Sequence, residues 1–250
     1  AESKPITALV ENGGSIIADG GQVVLTAAAA RGVVDSVINT DGIIQANSVA
    51  QRGGKIILGG GSAGAVKVAG KVSARGVNAG EKGGEIIVTG ETLTAEQTAI
   101  LDASGWSGGG KLLFGGDYLG GKATNADVAR FHFTMEDEPI QTAAAALLMD
   151  GAQLKADALV AGDGGKVVVW SEDATVSAAD ISAKGGSQSG NGGFIETSGG
   201  YLQVERAADA SAANGAEGTW LLDPLDITID RASASNSLWW MNPSELWPLY

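Results

Sequence analysis

Gly109-Gly110-Lys111-Leu112-Leu113-Phe114 is one statement of a phrase that recurs along almost the whole chain. Its other copies begin at Gly13-Gly14-Ser15-Ile16-Ile17, Gly53-Gly54-Lys55-Ile56-Ile57-Leu58 and Gly83-Gly84-Glu85-Ile86-Ile87-Val88. Two more follow, at Gly164-Gly165-Lys166-Val167-Val168-Val169 and, more loosely, Gly192-Gly193-Phe194-Ile195-Glu196. The pairs start at residues 13, 53, 83, 109, 164 and 192, a unit of roughly 26–40 residues with one long gap. Self-similarity at this scale marks a solenoid, in which each unit buries its apolar face against its neighbours. It turns the functional question from a pocket to a long stacked surface.

Between the pairs lies a second recurring element, a short apolar run closing on a small residue and glycine. Examples are Lys71-Val72-Ser73-Ala74-Arg75-Gly76, Ile100-Leu101-Asp102-Ala103-Ser104-Gly105 and Asp180-Ile181-Ser182-Ala183-Lys184-Gly185. Two or three short strands with glycine corners make one coil of a parallel β-helix. Repeats of helix pairs would need amphipathic segments of ten or more residues, which are mostly absent. Side chains alternate faces along a strand, so the charged residue after four of these pairs, Lys55, Glu85, Lys111 and Lys166, sets the phase. That phase sends Ile56, Leu58, Ile86, Val88, Leu112, Phe114, Val167 and Val169 inward. It leaves Ile57, Ile87, Leu113 and Val168 outward, as a stripe running from coil to coil. Either a neighbouring segment covers that stripe or it is an apolar docking strip.

Composition narrows the function classes. The chain has 250 residues, 44% hydrophobic content, 39 glycines and five prolines. That is enough for one continuous core, and the glycines lack the three-residue period of collagen. Acids outnumber bases 29 to 16, giving a net charge of −13. With the bases scattered singly, nucleic acid and anionic membrane surfaces are excluded as expected partners. There is no cysteine, and a stacked core of this size needs no disulfide. No apolar run is long enough to cross a bilayer, so membrane insertion is not expected. The start, Ala1-Glu2-Ser3-Lys4-Pro5, reads as a mature or excised segment rather than a signal peptide.

Two stretches break the repeat. Residues 117–150 open with Asp117-Tyr118-Leu119-Gly120-Gly121 and contain the single histidine, His132, read as structural. They end in Thr142-Ala143-Ala144-Ala145-Ala146-Leu147-Leu148-Met149-Asp150, where strong helix formers behind a threonine predict a short helix. Insertions in solenoids map to one face, often the binding face. The second break is the tail 231–250, with three tryptophans and no glycine, expected to cap the last coil. The expected architecture is thus an all-β parallel β-helix over 1–230, an insertion at about 117–150 and a capping tail.

Catalytic constellations are hard to find. One histidine cannot be matched to a serine–aspartate pair, no cluster has zinc spacing, and neither a metal nor a cofactor is expected. Some β-helices degrade polysaccharides with clustered carboxylates. Asp102, Asp117, Asp163, Glu172, Asp173 and Asp180 are the acids available for that alternative. The aromatics are a better lead. Trp170 continues the strand phase outward, and Trp106, Tyr118 and Tyr201 lie beside glycine turns. Exposed rings can stack on sugar faces. Trp106, Tyr118 and Trp170, with Asp117 and Asp163 as hydrogen-bond partners, form the candidate ligand site.

From Gly162-Asp163-Gly164-Gly165-Lys166-Val167-Val168-Val169-Trp170-Ser171 onward the sequence resembles a known family. The likeness continues through Ile181-Ser182-Ala183-Lys184-Gly185-Gly186 and Gly190-Asn191-Gly192-Gly193-Phe194-Ile195-Glu196-Thr197-Ser198-Gly199. It ends in Gly218-Thr219-Trp220-Leu221-Leu222-Asp223-Pro224 and Asp226-Ile227-Thr228-Ile229. This ordered series resembles the filamentous haemagglutinin-type exoproteins of Gram-negative two-partner secretion, closely over about 80–230 and loosely before. The resemblance implies a right-handed parallel β-helix exported by an outer-membrane transporter to the medium or cell surface. The implied roles are adhesin, biofilm matrix protein or spacer of a toxin-delivery exoprotein, with glycans or cell surfaces as partners. It transfers no catalytic residues.

Overall fold

The structure, a computed structural model, describes residues 8–28, 36–131 and 138–225. Three strands make each coil. The first holds β1 (Ala8–Asn12), β2 (Ser15–Ile17) and β3 (Gln22–Thr26), the second β4 (Ser36–Thr40), β5 (Ile43–Gln45) and β6 (Lys55–Gly59). The third holds β7 (Ala65–Val68), β8 (Lys71–Ser73) and β9 (Glu85–Thr89), the fourth β10 (Thr92–Ala95), β11 (Ile100–Asp102) and β12 (Lys111–Phe114). The fifth holds β13 (Ala145–Leu148), β14 (Gln153–Lys155) and β15 (Lys166–Trp170), the sixth β16 (Ala174–Ser177), β17 (Asp180–Ser182) and β18 (Phe194–Gly199). The last has β19 (Tyr201–Val204) and β20 (Thr219–Pro224), with Asp209 bridging Ser182 between them. First strands stack into sheet A, second strands into sheet B and third strands into sheet C, every ladder parallel. The chain is a parallel β-solenoid of about seven turns.

The expected inward residues of sheet C, among them Ile56, Leu58, Val88, Leu112, Phe114 and Val169, are fully buried in one core. That core runs the length of the rod and also takes Val72, Leu101 and Leu154 from sheet B and Val66, Leu93 and Leu148 from sheet A. Outside it, Glu85 lies between Lys55 at 2.8 Å and Lys111 at 3.4 Å, one coil away on either side. Burial pushes its carboxyl up, but the two ammonium groups outweigh this and hold it below the usual range. At the corners, Asp19, Asn47, Asp157, Asp163 and Asn191 each accept a backbone N–H from the following coil, at 2.7–2.9 Å. These contacts satisfy amides that no strand ladder reaches.

The glycine pairs have a steric cause. A Cβ on Gly84, Gly110, Gly165 or Gly193 would lie 2.0–2.1 Å from the carbonyl oxygen of the matching glycine in the preceding coil. Successive coils can close to strand spacing at this corner only without side chains. The first pair belongs elsewhere. Gly13-Gly14 leads into β2 of sheet B, and the sheet C corner of coil one is Gly20-Gly21, since Gln22 pairs with Lys55. The wide 13-to-53 interval therefore joins two different corners.

One expectation is corrected. Ala145–Leu148 is strand β13, paired on both sides with β10 and β16, and not a helix. Its inward Ala146 and Leu148 fill the core at the positions of Leu93 and Ala95. Helix propensity of a few tenths of a kcal/mol per residue is overridden by the ladder on either side. The helix of the insertion is α1 (Asn125–Phe131) instead. Thr124 and Asp127 cap it reciprocally: Thr124 N–H and hydroxyl donate to the Asp127 carboxylate at 2.9 and 2.7 Å, and Asp127 N–H donates to Thr124 Oγ1 at 3.3 Å. His132 and the tail 231–250 lie outside the described residues.

Candidate functional site

The outward stripe of sheet C is covered. Ile87, Leu113 and Val168 form a second apolar cluster, with Ile57, Ile140 and Trp170 packed against it. Leu113 and Val168 have no exposed surface at all. Ile140 belongs to the insertion, which leaves sheet C after Phe114 and returns to the solenoid at Ala143, where Ala143 N–H donates to Gly115 O. As a docking strip the stripe is thus corrected at three of its four positions. Only Ile57 keeps partial exposure, beside a shallow groove of about 420 Å³ lined by Thr26, Ala28, Gly59, Thr89 and Gln141.

The insertion is also fastened by polar groups. The Asp117 carboxylate accepts Tyr118 N–H at 2.8 Å and pairs with the Lys166 ammonium, both side chains being buried. Glu196, on the next coil, accepts Leu119 N–H at 3.2 Å and the Ser198 hydroxyl at 2.8 Å. Burial outweighs these donors and pushes the Glu196 carboxyl up to about 7. Tyr118, Phe131 and Phe194 pack as a triad, with ring centroids 5.0–6.0 Å apart. Gly116 and Gly120 lie directly over Trp170, where a Cβ would come within 2.7 and 3.0 Å of the indole.

The five expected ligand residues therefore separate. Asp117 and Tyr118 are buried at the foot of the insertion, and Trp170 is half-buried beneath it. Trp106 and Asp163 are exposed, together, at the corner between sheets B and C. Gly162, next to Asp163, sits against the Ser107 carbonyl, next to Trp106. The carboxylates offered for hydrolysis do not converge either. Asp102 pairs with Arg75 at 3.2 Å, Asp180 with Arg206 at 3.3 Å, and Glu172 and Asp173 lie at the opposite corner, bonded to Ala143 and Ala144. Among the described residues no group of three or more acids or histidines is placed to hold a metal ion.

The corner holds more than its two expected residues. Gly76, Gly105 and Ala158 bridge in parallel from coil to coil, so the residues after them, Val77, Trp106 and Leu159, share one position. Val49 takes that position in coil two, because Ser48 N–H donates to Arg75 O. All four are exposed, at 47% for Val49, 46% for Val77, 38% for Trp106 and 37% for Leu159. Coil six puts Gly186 there, and the ridge ends. The signal was in the sequence, since a large apolar residue follows the closing small residue or glycine in each of these coils.

The whole rod has a solved counterpart. The chain superposes on the crystal structure of the HMW1 secretion domain from Haemophilus influenzae with a TM-score of 0.57, at 28% identity over 85% of its length. It is similar to a bacterial secretion domain. It spans about half, 49%, of that chain. The match agrees with the likeness read from the Gly162–Ile229 series. No family model and no curated protein matches the chain. Among the described residues no helix is long and apolar enough to cross a membrane.

Proposed function

We propose that this chain is a rod segment of a secreted bacterial surface exoprotein, an adhesin or biofilm protein that attaches to glycans or to other cells. Its export partner on this reading is an outer-membrane two-partner transporter. The observation that carries the proposal is the seven-turn parallel solenoid, alike in fold and in 28% of aligned residues to a secretion domain. A solenoid presents a long repetitive surface rather than a deep cleft, which suits attachment to polymeric or crowded ligands. Catalytic acids would have to come together on one face, and the six considered are spread over several.

The test is binding of the purified chain to a broad glycan array and to whole bacterial and host cells. Retention on a defined set of glycans is the expected outcome. A clean null on both overturns the adhesive reading in favour of a spacer. Release of reducing ends or unsaturated products from a polysaccharide panel overturns it in favour of an enzyme.

A further inference from the structure

We infer that the ridge Val49–Val77–Trp106–Leu159 is a docking line for a carboxylated polysaccharide lying along the rod axis, its carboxylates directed to Arg52 and Lys82. This rests on the attachment reading above and names the ligand class and the place.

Three observations carry it. The ridge repeats at strand spacing, about 4.8 Å per coil, close to the length of one pyranose in an extended chain. A linear polymer of sugars can thus meet an apolar side chain at each step, with its C–H faces on Val77, Trp106 and Leu159 and the indole as the strongest contact. The ridge is also held rigid. The Glu81 carboxylate accepts Ala50 N–H from coil two and Asn78 N–H from coil three, both at 2.9 Å, joining the two loops beside Val49 and Val77. Those N–H groups hold its carboxyl below the ordinary range, so the brace persists through mild acid.

The third observation is charge. Arg52 faces Val49 across a two-residue turn, N–H to carbonyl in both directions at 2.9 and 3.0 Å. The Lys82 side chain lies along Gly108, its carbons 3.5–3.6 Å from the Cβ position, two residues from Trp106. Both cations are exposed, and neither forms an ion pair among the described residues. The chain as a whole is acidic, at −13, so the preference for carboxylates rests on these two cations at contact range of the ridge, with Glu81 turned onto the Ala50 and Asn78 amides. Asp163 stands on the opposite, coil-five side, so ligand carboxylates seat toward coils two to four. A second copy of the chain is a poor occupant. Four side chains, each less than half exposed, fall far short of the roughly 800 Å² per partner of a stable protein interface.

The experiment measures binding of the full chain to polygalacturonate and to the same polymer with its carboxylates reduced to alcohols. The expected result is salt-sensitive binding that prefers the acidic polymer at least tenfold. Trp106→Ala should weaken it about five- to tenfold, Arg52→Gln with Lys82→Gln should erase the preference for acid, and Asp163→Asn should leave it unchanged or tighter. Unchanged circular dichroism and melting would show that the variants stay folded. Equal binding of both polymers, or wild-type binding by Trp106→Ala and by Arg52→Gln with Lys82→Gln, overturns the inference while any positive signal on the glycan array leaves the attachment reading standing. Concentration-dependent dimerisation abolished by Trp106→Ala would assign the ridge to a second copy and also overturn it.

Discussion

Sheet C between coils three and six and the corner ridge beside it start from the same material, large apolar residues pointing out of the same solenoid. On sheet C they are sealed: Ile87, Leu113 and Val168 lie under the insertion and behave as core. At the corner Val49, Val77, Trp106 and Leu159 stay in solvent. Outward direction is thus a property of the strand, whereas exposure depends on whether another part of the chain crosses overhead. An apolar stripe that the fold itself covers contributes stability. One left uncovered over four coils is available for a ligand.

The largest effect expected from breaking this contrast lies beneath both regions. Val88→Asp places an unpaired carboxylate in the main core and should abolish cooperative folding, seen as loss of the β circular dichroism signal. Ser15→Asp, on an exposed strand position, should shift stability by no more than about 0.5 kcal/mol. Next is the clasp of the insertion. Lys166→Met strips the buried Asp117 carboxylate of its ammonium partner and should cost about 3–5 kcal/mol in urea denaturation. If the insertion were a loose flap, that cost would vanish.

Leu113→Ala tests the covered stripe directly. It should cost about 2–5 kcal/mol, as a core leucine does, although its strand phase is outward. A value below 1 kcal/mol would mean that the cover is not closed. The pH response of the same face follows from Glu196. Its folded-state carboxyl titrates near 7, above the ordinary 4.5, so the fold favours the neutral form. The stability this gives is complete below pH 4.5 and is lost as pH rises through 7. Relative to wild type, Glu196→Gln should gain about 2–3 kcal/mol between pH 4.5 and pH 8 in paired denaturation curves; parallel curves would remove Glu196 as the cause. Among the apolar truncations the smaller effect belongs to the ridge. Leu159→Ala should cost less than about 1 kcal/mol, since its side chain is already partly hydrated.

Much of this was legible in the sequence because strand alternation is local. The charged residues Lys55, Glu85, Lys111 and Lys166 after four of the glycine pairs fixed the phase, and Ile56, Val88, Phe114 and Val169 lie where that phase puts them. The glycine pairs announced corners for an equally local reason, a backbone contact that admits no Cβ. The first pair misled, because Gly13-Gly14 and Gly53-Gly54 look alike but serve different corners, and only strand pairing separates them. Ala145–Leu148 misled for another reason. Its composition favours a helix, yet the edge of β10 offers a full hydrogen-bonding ladder that outweighs that preference.

By itself, then, the sequence determined a parallel stack, its inward-facing residues and its likeness to secreted exoproteins, since period, phase and glycine spacing are written in order along the chain. Tertiary structure alone decided which outward residues meet water. Asp117 and Tyr118 adjoin in sequence a glycine turn that looked open, and they are buried because the insertion folds back across Trp170 and Phe194. Trp106 and Leu159 are far apart in sequence and share one ridge because the insertion leaves the solenoid between them and their coils still stack. Burial depends on contacts between distant segments, and no local pattern encodes which segment passes over which.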